Sequence, residues 1–121
     1  MSTSVSTAKQ LVDAINFDRF DDIQKLHASG VTFHSFRGPT LKDNIAVRDR
    51  QTELLERYAD CTYTEEEIVD DSDTAALRTT IVGKGYDWRQ FAQRALDIIQ
   101  VDGDGRINTR HLYAMLRDID L

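Results

Sequence analysis

The chain has 121 residues, 40% of them hydrophobic and 30% charged, and a formal net charge of −6, which suits one globular domain. The acidic balance argues against nucleic acid and anionic membrane surfaces as partners, because both are bound through Lys and Arg. Cys61 is the only cysteine, so neither an intrachain disulfide nor a cysteine-based metal cluster can form. The N-terminus has no signal-peptide pattern, and no apolar run approaches the ~20 residues that span a bilayer. We expect a cytoplasmic protein without a cofactor or a metal.

The N-terminal residues predict two short amphipathic helices. Residues 1–5 are expected to form a frayed tail, and a helix begins after a cap at residues 6–7. Asp18 can cap the second helix, which Gly30 then stops. His27, late in that helix, is interpreted as a cation that favours the helix end.

A strand, a helix and then only strands follow. Residues 31–37 have strand propensity, and a Gly-Pro pair ends the strand. Asp43 then starts a long helix with opposite charges at helical spacing on its outer face. The turn at residues 71–73 predicts a β-hairpin. The stretch 91–101 is compatible with a long strand or a helix, and a last element covers residues 107–116.

In this order the chain resembles the SnoaL-like branch of the NTF2-like superfamily, which is also called ketosteroid isomerase-like or cystatin-like. The resemblance covers about residues 8–116. It is carried by short segments in a fixed order: residues 11–15 (LVDAI), 26–35 (LHASGVTFHS), 38–39 (GP), 68–78 (IVDDSDTAALR) and 104–107 (DGRI).

The resemblance implies an α+β cone in which three N-terminal helices pack on a curved, mixed, mainly antiparallel sheet. The chain is then a single domain, residues 1–121, with an ordered core of about 6–116. The family further implies a small-molecule pocket between helices and sheet, and homodimers that pair through the open sheet face. Its members include polyketide cyclases, steroid isomerases, epoxide hydrolases and domains without chemistry.

The positions where such enzymes carry acid or base groups are altered here. The carboxylate of the cyclases falls on Met115, and the carboxylate base of the isomerases falls on Ser35. Arg94 and Asp97 have the wrong spacing for the arginine and two aspartates of the epoxide hydrolases. All three chemistries lose support, and whether the chain is an enzyme stays open.

Three residues are the candidate catalytic groups. His111 shares strand parity with Ile107, so it lies on the pocket side if Ile107 faces the core. It is then a general base or acid or, as the favoured interpretation, a hydrogen-bonded pocket or interface histidine. Asp97 lies in an apolar stretch and could act as an acid, although alternation along the strand favours a solvated or dimer face. His34 lies either near the mouth of the cone or on the other sheet face.

The expected ligand-binding residues combine this parity with aromatic side chains that could form a rim for a planar ligand. They are Tyr113, Met115, Trp88, Phe91, Tyr58, Phe33 and Ser35. The favoured function is binding of a small apolar ligand, with proton transfer on a cyclic substrate if the protein is an enzyme. The alternative is a non-catalytic scaffold that uses the open sheet face.

A remote alternative is a calcium-binding loop at residues 102–107 (DGDGRI). Asp102 and Asp104 match ligand positions of an EF-hand. The first and twelfth positions hold Gln100 and His111, however, and the strongest ligands are therefore missing. An Asp-Gly hairpin turn is the favoured interpretation.

Overall fold

The first helix begins closer to the N-terminus than the sequence indicates. The computed structural model describes residues 2–36, 38–84 and 89–114. Helix α1 spans Thr3–Asn16, and the Ser2 hydroxyl caps it by accepting a hydrogen bond from the amide of Val5. Val5 is buried. The predicted frayed tail is therefore wrong for residues 2–5, because a serine cap and a core contact hold them.

The second helix is shorter than predicted. Helix α2 spans Phe20–Leu26, and strand β1, His27–His34, follows it directly. Asp18 is not the cap, since it lies in a turn with a φ of 54°. Gly30 is inside β1 and not at a helix end. His27 is fully buried at the start of the strand, so the interpretation as a helix-end cation is wrong.

Helix α3 spans Asn44–Arg57 and begins where the sequence predicts. The Asp43 carboxylate accepts a hydrogen bond of 2.7 Å from the amide of Ala46, and it thereby satisfies one of the free amides at the helix start. Val47 and Gln51, four residues apart, are buried on the inner side of this helix. Gln51 thus places a polar side chain on the buried, apolar face of α3.

The remaining elements form an open, mixed, mainly antiparallel sheet, as expected. Strands β2 (Ala59–Asp71), β3 (Thr74–Lys84), β4 (Gln90–Val101) and β5 (Ile107–Ala114) follow α3 in the chain. Their order in the sheet is β1-β5-β4-β3-β2, with β1 and β5 parallel and the other pairs antiparallel. The ambiguous stretch 91–101 is a strand.

The loop between β4 and β5 is a hairpin connection and not an EF-hand. Its flanks are strands, whereas an EF-hand needs a helix on each side. The Asp102 carboxylate accepts hydrogen bonds from the amides of Asp104 and Arg106. The calcium alternative is therefore wrong.

A bulge in β5 decides which side chains face the helices. Val101 pairs with Ile107, but Gln100 pairs with Thr109, so β5 has one extra residue at this point. Ile107 and Arg110 are consequently both buried, three residues apart. Beyond the bulge, Arg110 and every second residue after it face the helices.

The core lies between α1, α2 and the helix-facing side of the sheet, called the inner face here. Its buried apolar residues include Leu11, Ile15, Ile23, Val31, Val47, Leu77, Ile99 and Ile107. No helix in the described ranges is both long and apolar enough to cross a bilayer.

Candidate functional site

A cavity of about 180 Å³ lies between α3 and the inner face of the sheet. Phe36 is 44% exposed, so the cavity opens to solvent on that side. Arg50, which also lines the cavity, contacts Glu53 at 3.8 Å and is partly exposed. The other lining residues are mostly apolar: Leu54, Leu55, Tyr58, Ile81, Phe91 and Leu112, with Ser35, Gln51, Cys61, Tyr63 and Gln93 as the polar ones.

Gln51 and Tyr63 form a polar pair in the cavity wall. The Gln51 amide Nε2 donates a long hydrogen bond of 3.4 Å to the phenolic oxygen of Tyr63. Asn16 fixes the backbone of Tyr63 from α1, with two hydrogen bonds of 2.7 Å. Burial raises the pKa of Tyr63, so its hydroxyl keeps its proton and stays a donor at neutral pH.

A buried ion pair lies on the same inner face, next to the cavity. The Arg110 Nε is 2.9 Å from each carboxylate oxygen of Asp97, and the Arg110 Nη2 is 2.6 Å from Oδ2. The two side chains are 2% and 5% exposed. The guanidinium lies 4.3 Å from the centroid of the Phe33 ring. Asp97 is the cross-strand neighbour of Leu112, which lines the cavity.

His27 completes this buried network in its neutral form. Its Nδ1 donates a hydrogen bond of 2.7 Å to the carbonyl of Ile23, because a carbonyl can only accept. The other nitrogen, Nε2, is then free to accept from the Arg110 Nη1 at 3.3 Å. Burial, and secondly the positive charge of Arg110, lower the pKa of His27 to about 3. His27 is therefore uncharged at neutral pH.

The network changes the interpretation of Asp97. Strand alternation favoured a solvated or dimer face for this residue, and that expectation is wrong, since Asp97 faces inward and is 4% exposed. Both of its oxygens accept hydrogen bonds from Arg110. The arrangement therefore holds the carboxylate as the counter-ion of a buried cation.

His111 and Tyr113 do not line the cavity, and the prediction that they do is wrong. The bulge in β5 turns both onto the other side of the sheet, called the outer face here. There the His111 ring stacks on that of His34 with centroids 4.5 Å apart, and Tyr113 lies 6.2 Å beyond. His34 also hydrogen-bonds the Thr40 hydroxyl at 3.0 Å. Both imidazoles are thus separated from the cavity by the sheet.

The other expected ligand-binding residues have three different positions. Tyr58, Phe91 and Ser35 line the cavity. Phe33 is 6% exposed and packs against Arg110, so it supports the ion pair and is not among the lining residues. Trp88 and Met115 lie outside the described residues.

The sequence patterns do not identify Gln51, Arg110 or the buried role of His27. Helical spacing from Val47 was the available signal for Gln51. Arg110 had none, because its inward orientation depends on the bulge. Among the described residues, no three His, Cys, Asp or Glu side chains lie close enough together to hold a metal ion.

Three helices on an open five-stranded mixed sheet, with a cavity between them, define an NTF2-like α+β protein. The family model of the SnoaL-like domain matches residues 8–110. The chain therefore belongs to the SnoaL-like domain family. No curated protein matches the chain significantly.

Several solved structures share the fold. A protein with a ketosteroid isomerase-like fold from Catenulispora acidiphila, solved with trimethylamine, has a TM-score of 0.81, 13% identity and coverage of 88% of this chain and 83% of its own. IdmH, a candidate polyketide cyclase from Streptomyces antibioticus, has a TM-score of 0.80, 20% identity and coverage of 92% and 91%. An LEH-like epoxide hydrolase from M. tuberculosis has a TM-score of 0.79, 12% identity and coverage of 93% and 83%. At these identities the likeness concerns the fold alone.

Proposed function

We propose that this domain binds a small, mostly apolar molecule in the cavity between α3 and the inner face of the sheet. The observation that carries the proposal is the cavity itself, about 180 Å³ with mostly apolar walls. An engineered protein cavity of roughly 150 Å³ lined by leucine, isoleucine and phenylalanine binds benzene, so a ligand about the size of one ring is the appropriate scale. The Catenulispora protein of the same fold, solved with trimethylamine, agrees with a small ligand.

The proposal concerns binding and includes no catalytic step. Of the three candidate catalytic groups, His34 and His111 lie on the outer face. Asp97 is held by Arg110 through both oxygens. None of these three groups is thus positioned for proton transfer on a substrate in the cavity, since such a group must come within hydrogen-bond reach of its substrate.

The test is titration of the methyl-labelled protein with toluene, phenol and cyclohexanol, followed by NMR. We expect saturable shifts confined to the methyl groups of the cavity lining. Leu54→Trp places an indole in the cavity and should abolish them. Ile45→Trp is the matched control on the same helix, because Ile45 is 49% exposed and does not line the cavity. If no probe gives a saturable shift in the unaltered protein, the proposal is wrong.

We further propose that a second copy of the chain covers the outer face. This face has three large hydrophobic side chains that are strongly exposed: Val69 (55%), Val82 (40%) and Tyr113 (49%). Contiguous exposed apolar surface is typical of a protein–protein interface. Ile98→Asp places a charge at the centre of this face. It should convert a dimer into a monomer in sedimentation equilibrium without unfolding it, and a monomeric unaltered protein would contradict the proposal. A cytoplasmic location stays a prediction from the sequence.

A further inference from the structure

The Gln51–Tyr63 pair leaves two hydrogen-bonding functions unused in the cavity wall. The Tyr63 oxygen accepts from Gln51, but the Tyr63 hydroxyl proton has no acceptor among residues 2–36, 38–84 and 89–114. Within the same ranges the Gln51 Oε1 has no donor. Both residues line the cavity, and Gln51 is only 7% exposed. Polar groups of buried side chains normally have partners, and a polar ligand atom in the cavity could complete both functions.

One chemical group satisfies both functions at once. A hydroxyl accepts one hydrogen bond and donates another, so its oxygen can accept from Tyr63 while its proton goes to the Gln51 Oε1. A carbonyl can satisfy only the tyrosine, and a hydrocarbon satisfies neither. The two functions belong to side chains already in contact, so one ligand oxygen can reach both.

The charges around the cavity indicate that the ligand is neutral. Arg50 is the only charged side chain that lines the cavity in the described part of the chain, and Glu53 lies 3.8 Å from it. The inner wall at Gln51 and Tyr63 is neutral, because the raised pKa of Tyr63 keeps its hydroxyl protonated. An ionised group bound at this inner wall would lose its hydration without an opposite charge beside it, because Arg50 already contacts Glu53.

We propose that the cavity selects a neutral, ring-sized alcohol or phenol whose hydroxyl bridges Tyr63 and Gln51. This inference rests on the proposed binding function. It predicts discrimination between molecules of equal shape that differ only in the hydroxyl. A site built to bond a hydroxyl rejects the analogue that lacks it, because its own polar groups are then left unpaired.

The experiment compares phenol, benzene and benzoate by NMR titration of the full chain and of two variants. Tyr63→Phe removes the hydroxyl, and the Asn16 bonds to the Tyr63 backbone remain possible. Tyr113→Phe is the matched control, because it removes a hydroxyl from a tyrosine on the outer face, away from the cavity. We expect phenol to bind about tenfold more tightly than benzene in the unaltered protein and in Tyr113→Phe, and benzoate to bind more weakly than phenol.

In Tyr63→Phe we expect this preference to vanish or to reverse in favour of benzene, because the phenol hydroxyl then loses its donor. Gln51→Met should reduce the preference in the same direction. Equal affinity for phenol and benzene in the unaltered protein overturns the inference and leaves the binding proposal intact. Absence of binding by both overturns the binding proposal itself.

Discussion

The buried His27 should make the stability of this protein depend on pH already at about pH 6.5, before the carboxylates begin to titrate. Its pKa falls from 6.5 to about 3 on folding. Between these values the unfolded chain binds a proton that the folded chain does not bind, so the free energy of unfolding decreases as the pH falls. This contribution is complete above about pH 7 and is lost through the window from about 6.5 down to about 3.

The magnitude follows from the depressed pKa. Each pH unit within the window costs about 1.4 kcal/mol. Since the unfolded pKa is 6.5, His27 alone should remove about 2 kcal/mol of stability between pH 7 and pH 5. This is a large part of the 5–15 kcal/mol that a typical domain possesses.

Urea denaturation at pH 7, 6 and 5 measures the effect in the unaltered protein and in His27→Gln. Glutamine does not titrate, and its carbonyl can still accept a hydrogen bond from Arg110. The variant should therefore lose about 2 kcal/mol less than the unaltered protein between pH 7 and pH 5. The double variant His34→Gln/His111→Gln is the control, because both imidazoles lie on the outer face; it should retain the loss due to His27. Parallel stability curves for the unaltered protein and His27→Gln would refute the reasoning.

Two further predictions concern the buried ion pair and the loop before β5. Arg110→Met leaves the Asp97 carboxylate buried without its counter-ion and should cost about 3–5 kcal/mol in urea denaturation, whereas Asp97→Leu/Arg110→Met should cost less than that single change; an equal or larger loss in the double variant contradicts this. Gly105→Ala should lower stability by about 1–2 kcal/mol in thermal unfolding, because φ is +76° and the new Cβ lies 2.9 Å from the Thr3 Cγ2. Gly103→Ala has no atom within 4 Å of its new Cβ and should change stability much less; equal effects at both glycines would show that the contact and the backbone angle do not matter.

The order of the elements was predictable because local signals mark it. Asp43 caps α3 as its side chain predicts, and the chain folds into the α+β arrangement that the family resemblance implies. The faces of the last strand were not predictable in the same way. One extra residue after Ile107 exchanges the two faces, so His111 leaves the inner face and Arg110 enters it. A bulge depends on how two strands meet, and alternation along one strand cannot reveal it.

The buried position of His27 could not be predicted from local sequence signals either. A short amphipathic helix followed by Gly30 predicts a longer helix, and a histidine late in a helix is ordinarily a surface cation. The chain instead enters β1 at His27, because the parallel pairing of His27 with Ile107 begins there. The residue then becomes an acceptor for Arg110, a partner 83 residues away along the chain. Such a contact exists only in the assembled sheet.

Gln51 is a buried polar residue at a position of α3 where an apolar residue is expected. At this position a leucine would continue the apolar side of α3 from Val47 and fill space against the sheet. The chain instead buries an amide beside the Tyr63 hydroxyl, and burying polar groups is unfavourable unless they are hydrogen-bonded. The pair satisfies only part of its own hydrogen-bonding capacity. By contrast, Arg110 has carboxylate and imidazole partners at all three of its nitrogens. The buried charges of Asp97 and Arg110 are therefore fully paired, whereas the Gln51–Tyr63 pair keeps unused hydrogen-bonding capacity in the wall of an open cavity, where a ligand can complete it.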